Sequence, residues 1–169
     1  MITIGELPQL HSDLAPKEPN STEFLRVCLI ELGEEPFAID LRQVREVFEP
    51  ESITPVPGMP TALVGVTNLR GTIISLVDLR TALGVPNSVI LKYAVVVRHG
   101  TQQVGILVKE VPEIRTIRTN NLEAFSGRTA AEKHHLFAGF FRIENKGSAI
   151  LDMSRLLASL EGTDDDHPS

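Results

Sequence analysis

The chain repeats itself, and that constrains what it can fold into more than any other feature of its sequence. Aligned from Phe37, FAIDLRQVREV lies over VGILVKEVPEI from Val104, an offset of 67 residues. Ile39 then meets Ile106, Arg42 meets Lys109, Val44 meets Val111, Glu46 meets Glu113 and Val47 meets Ile114. Further on, Val64–Leu83 lies over Ala138–Leu157 without a gap, at an offset of 74 residues. There Gly65 meets Gly139, Asp78 meets Asp152 and Leu83 meets Leu157. Each copy opens on an apolar run leading into a turn, FLRVCLIELGEEPFAI in one and YAVVVRHGTQQVGI in the other. The chain reads as a tandem duplication over about residues 23–86 and 91–160.

Within a copy, short β-branched runs alternate with Gly-containing turns, the pattern of antiparallel strands. In the first copy they lie near residues 24–32, 36–41, 44–49, 64–69 and 72–77; in the second, near 92–98, 102–108, 111–117, 138–144 and 147–151. Each copy then closes on an Asp before a helical pattern, DLRTALG and DMSRLLASLEG, with Asp as the cap. Five strands in so few residues predict a small barrel, since closure removes exposed sheet edges. A barrel of that size has little core of its own, so two would share an apolar seam. The expectation is an all-β fold with short helices: barrel 1 over about 23–86, barrel 2 over about 91–151, and a C-terminal helix over about 152–160.

Charge separates this body from its ends. Residues 23–160 balance 15 basic against 15 acidic side chains, while residues 161–169 carry four acids and no base. Residues 1–22 and 161–169 read as solvated, disordered ends. A neutral body with no Trp and a single Tyr lacks the basic, aromatic face that nucleic-acid binding requires. No run approaches the roughly 18 apolar residues of a membrane span, and the first residues lack a secretory pattern, so a cytoplasmic protein is expected.

Catalytic patterns are absent from the sequence. His11, His99, His134, His135 and His167 are scattered, and the adjacent pair would point its rings apart, so no metal site is expected. Cys28 sits in an apolar strand pattern and reads as a small buried hydrophobe. Asp78 and Asp152 could serve as an acid–base pair, but their equivalence in the two copies favours helix capping. No phosphate-cradling or nucleophile-elbow pattern occurs, and no cofactor is expected.

The duplication supplies a filter. Positions that agree between copies serve the fold, and positions that differ are free to serve a partner. Arg70, in the loop Asn68-Leu69-Arg70-Gly71, stands where the second copy has Glu144. A guanidinium on a rigid loop can make forked, charge-assisted contacts. Arg70 is expected to be exposed, with its guanidinium unpaired or loosely paired.

The runs FAIDLRQVREVFEP, ITPVPGMPTALVGVTNLRGTIISLVDLRTALG, VGILVKEVPEI and ILDMSRLL resemble the CheW-like coupling proteins of bacterial chemotaxis over about residues 23–160. That resemblance implies two SH3-like five-stranded barrels related by a pseudo-two-fold. It also implies a non-enzymatic adaptor between chemoreceptor cytoplasmic tips and the regulatory domain of a CheA-type histidine kinase, recruited to membrane-associated receptor arrays. A monomer or weak self-association would suffice for that role. Carried across position by position, Arg70 and Glu46, with Val111 in a seam-facing strand, match receptor contacts, and Val44 and Gly65 match kinase contacts. The same role in a type IV pilus or other chemosensory pathway is the alternative.

Overall fold

The computed structural model describes residues 23–122 and 135–166. Ten strands form in chain order. The first copy supplies β1 (Phe24–Glu31), β2 (Pro36–Asp40), β3 (Val44–Phe48), β4 (Leu63–Leu69) and β5 (Thr72–Val77). The second supplies β6 (Tyr93–His99), β7 (Gln102–Val108), β8 (Glu113–Arg118), β9 (Phe137–Ile143) and β10 (Lys146–Leu151). A short helix α1 (Arg80–Leu83) follows β5, and a longer one, α2 (Met153–Asp166), follows β10. Residues 1–22, expected as a disordered extension, and 167–169, the end of the tail expected over 161–169, lie outside the described residues.

The strands assemble into two five-stranded SH3-like barrels, but not one per copy. One sheet has the order β8-β1-β2-β10-β9 and the other β3-β6-β7-β5-β4. The expected barrels over 23–86 and 91–151 are therefore corrected: each takes two strands from one copy and three from the other. Replacing every strand by its repeat equivalent converts one order into the other, as a pseudo-two-fold demands. Register obeys the same rule. The parallel pairs Ala149↔Phe37 and Ile150↔Ala38 of one sheet answer to Ser75↔Val104 and Leu76↔Gly105 of the other. Even the irregularities repeat, with an extra residue at Val64 in β4 and at Ala138 in β9.

Side-chain alternation explains how the barrels join. On β1, Val27 faces a small core inside its own barrel, with Ala38, Ile117, Phe141 and Ile150. Its neighbours Cys28 and Ile30 face the other way, into a larger core. On β7, Leu107 joins Leu76 and Ala94 inside the second barrel, whereas Val104, Ile106 and Val108 join that larger core. The largest apolar cluster is thus the seam between barrels, as the small-core argument predicted. Strands buried on both faces must be apolar on both faces, which accounts for the run Ala94-Val95-Val96-Val97.

The helices close the seam. In α1, Gly84 at φ 74° ends the helix, donating to the Thr81 carbonyl while Val85 donates to the Arg80 carbonyl. In α2, Asp152 Oδ1 accepts from the Arg155 N–H at 3.1 Å, and Met153, Leu156 and Leu157 enter the seam core. The helix continues to Asp166, so the expected change to disorder at residue 161 is replaced by a longer helix.

Candidate interaction site

The β4–β5 hairpin closes on two residues, Arg70 and Gly71, flanked by the pair Leu69↔Thr72. Their φ values are 51° and 89°, both left-handed, as a primed two-residue turn requires. The β9–β10 hairpin closes on Glu144 and Asn145 with φ of 54° and 70° between Ile143 and Lys146. Gly or Asn suits such positions, and in each turn the second residue conforms. The first residue in each turn is charged and accepts the strain of left-handed backbone to stand at a barrel tip.

Arg70 does not stand alone there. Its Nη2 donates to Glu46 Oε2 at 2.6 Å, with 69% of the Arg70 side chain still exposed. Exposure is as expected, but the free or loose guanidinium is replaced by a close ion pair. Glu46 lies on β3 and Arg70 at the end of β4, the two edge strands of their sheet, so the pair spans the edges where the barrel closes. The hydrogen bond from Arg70 to Glu46, with its charge, holds the guanidinium above its ordinary pKa. In the second copy the equivalent residues, Glu113 and Glu144, are both acidic. Arg115 sits with them, its Nε 2.8 Å from Glu113 Oε2, and Glu144 adds a weaker pull on the same guanidinium. One barrel therefore closes on a 1:1 ion pair and its twin on two carboxylates around one cation.

The other anticipated residues scatter around this feature. Val44 opens β3 opposite Val97, half-buried and packed against the seam core. Gly65 is buried on β4, where a Cβ would meet the Thr54 carbonyl oxygen at 2.5 Å and Ile53 Cγ2 at 2.9 Å. The covering segment is held by Thr54 and Val66, which exchange two 2.9 Å backbone hydrogen bonds, and by Thr67 Oγ1 donating to the Ser52 carbonyl at 2.7 Å. Val111, placed by sequence in a seam-facing strand, instead lies in the β7–β8 connection with 62% exposure. Pro112 behind it has no N–H to give a ladder, which delays β8 until Glu113.

The remaining sequence candidates are structural. Asp78 Oδ1 accepts from the Arg80 N–H at 2.9 Å and its Oδ2 from Arg80 Nη2 at 2.8 Å; Arg80 Nη1 also donates to the Val89 carbonyl at 2.7 Å. Arg80 is buried, and its three-way contact ties α1 to the connection toward the second copy. Burial pushes the Asp78 carboxyl up, but the Arg80 hydrogen bonds and charge outweigh it and hold the group below the usual aspartate value. Burial pushes the Cys28 thiol up to about 11, which leaves almost no thiolate at neutral pH. Among the described residues no cluster of His, Cys, Asp and Glu could hold a metal ion, and no helix is long and apolar enough to cross a membrane. His134 and most of the polar segment before Phe137 lie outside the described residues.

Comparison with known proteins agrees with this architecture. The family model of the CheW-like domain matches residues 26–161. The chemotaxis protein CheW of Helicobacter pylori is 26% identical over 151 residues, covering 88% of this chain and 91% of that one. The chemotaxis protein CheW of Thermotoga maritima is 36% identical over 98 residues, 57% of this chain and 65% of that one. The crystal structure of the scaffolding protein CheW from Thermoanaerobacter tengcongensis superposes with a TM-score of 0.72 at 26% identity, covering 83% of this chain and 92% of that one.

Proposed function

We propose, on the premise that this chain belongs to the CheW-like domain family, that it is a non-enzymatic scaffold adaptor of a chemosensory pathway. It holds chemoreceptor cytoplasmic tips on one surface and the regulatory domain of a CheA-type histidine kinase on another, in the cytoplasm beneath a receptor array. Relatives named chemotaxis protein CheW and a structural neighbour named a scaffolding protein support this reading.

The observation that carries the proposal is the Arg70 tip. A forked cation stands on strained backbone, backed by a two-residue hairpin and oriented by Glu46, where the pseudo-symmetric twin carries the opposite charge. Such a group is preorganised for a carboxylate or carbonyl array on a partner, and the unlike twin keeps the same partner from binding both ends. Receptor contact is assigned to Arg70 and Glu46, with exposed Val111 as a further apolar contact. Kinase contact is assigned to the region of Val44 and Gly65. Val44 would act from the surface; Gly65, being buried, would act by letting Ile53 and Thr54 lie close on β4.

An adaptor must hold both partners at once. Pull-down of a receptor signalling fragment through this chain should retain the kinase regulatory domain, with circular dichroism as a fold control. Competition between the two partners for the wild-type chain would sink the proposal. The same experiment with receptors of a pilus-type pathway distinguishes the alternative setting.

A further inference from the structure

Half of the strand pairings join one copy to the other, yet a single stretch of chain connects the two. In one sheet β1 pairs with β8 and β2 with β10; in the other β3 pairs with β6 and β5 with β7. The seam core mixes the copies in the same way, with Cys28, Ile30 and Ile39 of the first against Val95, Ile106 and Leu156 of the second. Covalently the copies meet only between Leu83, the last residue of α1, and Tyr93, the first of β6.

That connection is anchored at both ends and open between them. Val85 donates to the Arg80 carbonyl at 2.8 Å and packs against the seam core. At the far end Leu91 packs against Leu76, Ala94 and Leu107 inside a barrel, and Lys92 donates to the Val108 carbonyl at 2.8 Å. Between these anchors Pro86, Asn87 and Ser88 are exposed, and a 2.7 Å bond from Arg80 Nη1 to the Val89 carbonyl folds the connection back. Ile90 is 84% exposed, more than any other large apolar side chain among the described residues. One exposed apolar residue means little on an ordinary surface, but this one sits on the covalent joint between copies.

We infer that at high concentration the chain binds a second copy of itself by exchange, the first copy of one chain taking the second copy of the other as its partner. Such a dimer repeats every ladder and the whole seam core of the monomer. The two forms therefore differ only at the connection and in the entropy of association. In the monomer the connection turns back and leaves Ile90 in water. In the exchanged dimer it runs on to the other chain, and the two-fold axis passes between the two connections. Identical residues then face each other across the axis, and Ile90 of each chain is covered by the other. Both Arg70 tips survive the exchange, so each dimer presents two. The inference rests on the strand topology and stands whether or not the chain is an adaptor.

The test refolds the full chain from denaturant at rising concentration under reducing conditions, then separates the products by size exclusion with mass from light scattering. Dimer should grow with concentration and, once isolated, persist on dilution, because a return to monomer must break the ladders between copies. Arg26 and Thr116 are exposed register partners on β1 and β8, so Arg26→Cys/Thr116→Cys places a disulfide between the copies. Oxidised after separation, the monomer should give single chains with an internal crosslink. The dimer should run as two linked chains on a denaturing gel without reductant. Wild-type chains of heavy and light isotope should form mixed dimers when refolded together and none when mixed after folding. Ile90→Ser should lower the dimer fraction several-fold and leave the melting temperature of the monomer unchanged. Absence of dimer at every concentration, or a dimer whose crosslinks all lie within single chains, would overturn the inference.

Discussion

Arg70 and Glu144 hold the same position in two turns of the same kind, at φ 51° and 54°, with opposite charge. Both residues follow an antiparallel strand and precede one that pairs in parallel with a strand of the other copy. The backbone is duplicated and the chemistry is not. Left-handed backbone costs a residue with a Cβ roughly 1 kcal/mol, and Asn or Gly would relieve it at either tip. The turn itself does not call for the guanidinium, which pairs with Glu46 across the barrel edges.

Arg70→Asn tests that trade. The substitution keeps the turn and suits its φ, so the melting temperature should hold or rise by about 1–3 °C. Affinity for receptor tips should fall roughly tenfold or more, the loss expected of an interface anchor. Arg70→Glu combined with Glu46→Arg would restore an ion pair across the barrel edges with its polarity reversed, and should not restore binding. A lower melting temperature with receptor affinity intact would make Arg70 a closure residue only.

The strands were legible because period-two alternation and Gly turns are local signals. β2 and β7, for instance, lie within a residue of where their alternation places them. The distribution of strands between barrels was not legible. A barrel made of β1–β5 and one made of β8-β1-β2-β10-β9 bury the same alternating residues, and only the long-range parallel pairs β2–β10 and β5–β7 tell them apart. For the same reason, Arg70 and Glu46 could be singled out separately but not as a pair, since 24 residues and a barrel closure separate them.

Strand exchange between copies has a direct consequence for fragments. A piece ending near residue 88 holds β1 and β2 without β8, β9 and β10, and β3, β4 and β5 without the β6 and β7 that join them. Neither sheet would be complete, and most of the seam core would lose its facing side. Residues 1–88 alone should show no cooperative thermal transition. Co-expressed with 89–169, they should purify as a complex with native-like circular dichroism. A stably folded first fragment would contradict the exchanged topology.

Gly65 and Gly139 occupy equivalent positions with unequal surroundings. At Gly139 the nearest atom to a new Cβ would be Ile150 Cδ1 at 3.8 Å, an ordinary contact. Gly139→Ala should therefore be neutral to within about 0.5 kcal/mol. At Gly65 the obstacle is the Thr54 carbonyl, a backbone atom fixed by its own hydrogen bonds to Val66. Gly65→Ala should destabilise by about 1–3 kcal/mol and release the Ser52–Thr54 segment to hydrogen exchange. Gly65→Asp should do more, and any loss of kinase binding would then come from the displaced segment rather than from a charge at the interface. Equal cost at both glycines would show that the segment yields freely.

Asp78 and Arg80 set a limit on acid stability. The Asp78 pKa is depressed in the folded chain from an ordinary value of 3.8 because Arg80 outweighs the effect of burial. A depressed acid favours the folded state above its unfolded pKa. That contribution is complete at neutral pH, begins to fail as the pH drops through about 4, and is gone below the folded pKa. Asp78→Asn removes the charge and leaves the buried Arg80 guanidinium without a counter-ion, so it should cost about 2 kcal/mol or more at pH 7. In a chain of this length about 2 kcal/mol is a melting-temperature drop of about 4–8 °C. The decisive measurement compares wild type and variant at pH 7 and pH 3. The gap between them should shrink as the wild-type carboxylate is protonated, and a gap of constant size would mean that Asp78 acts through its shape and not through its charge.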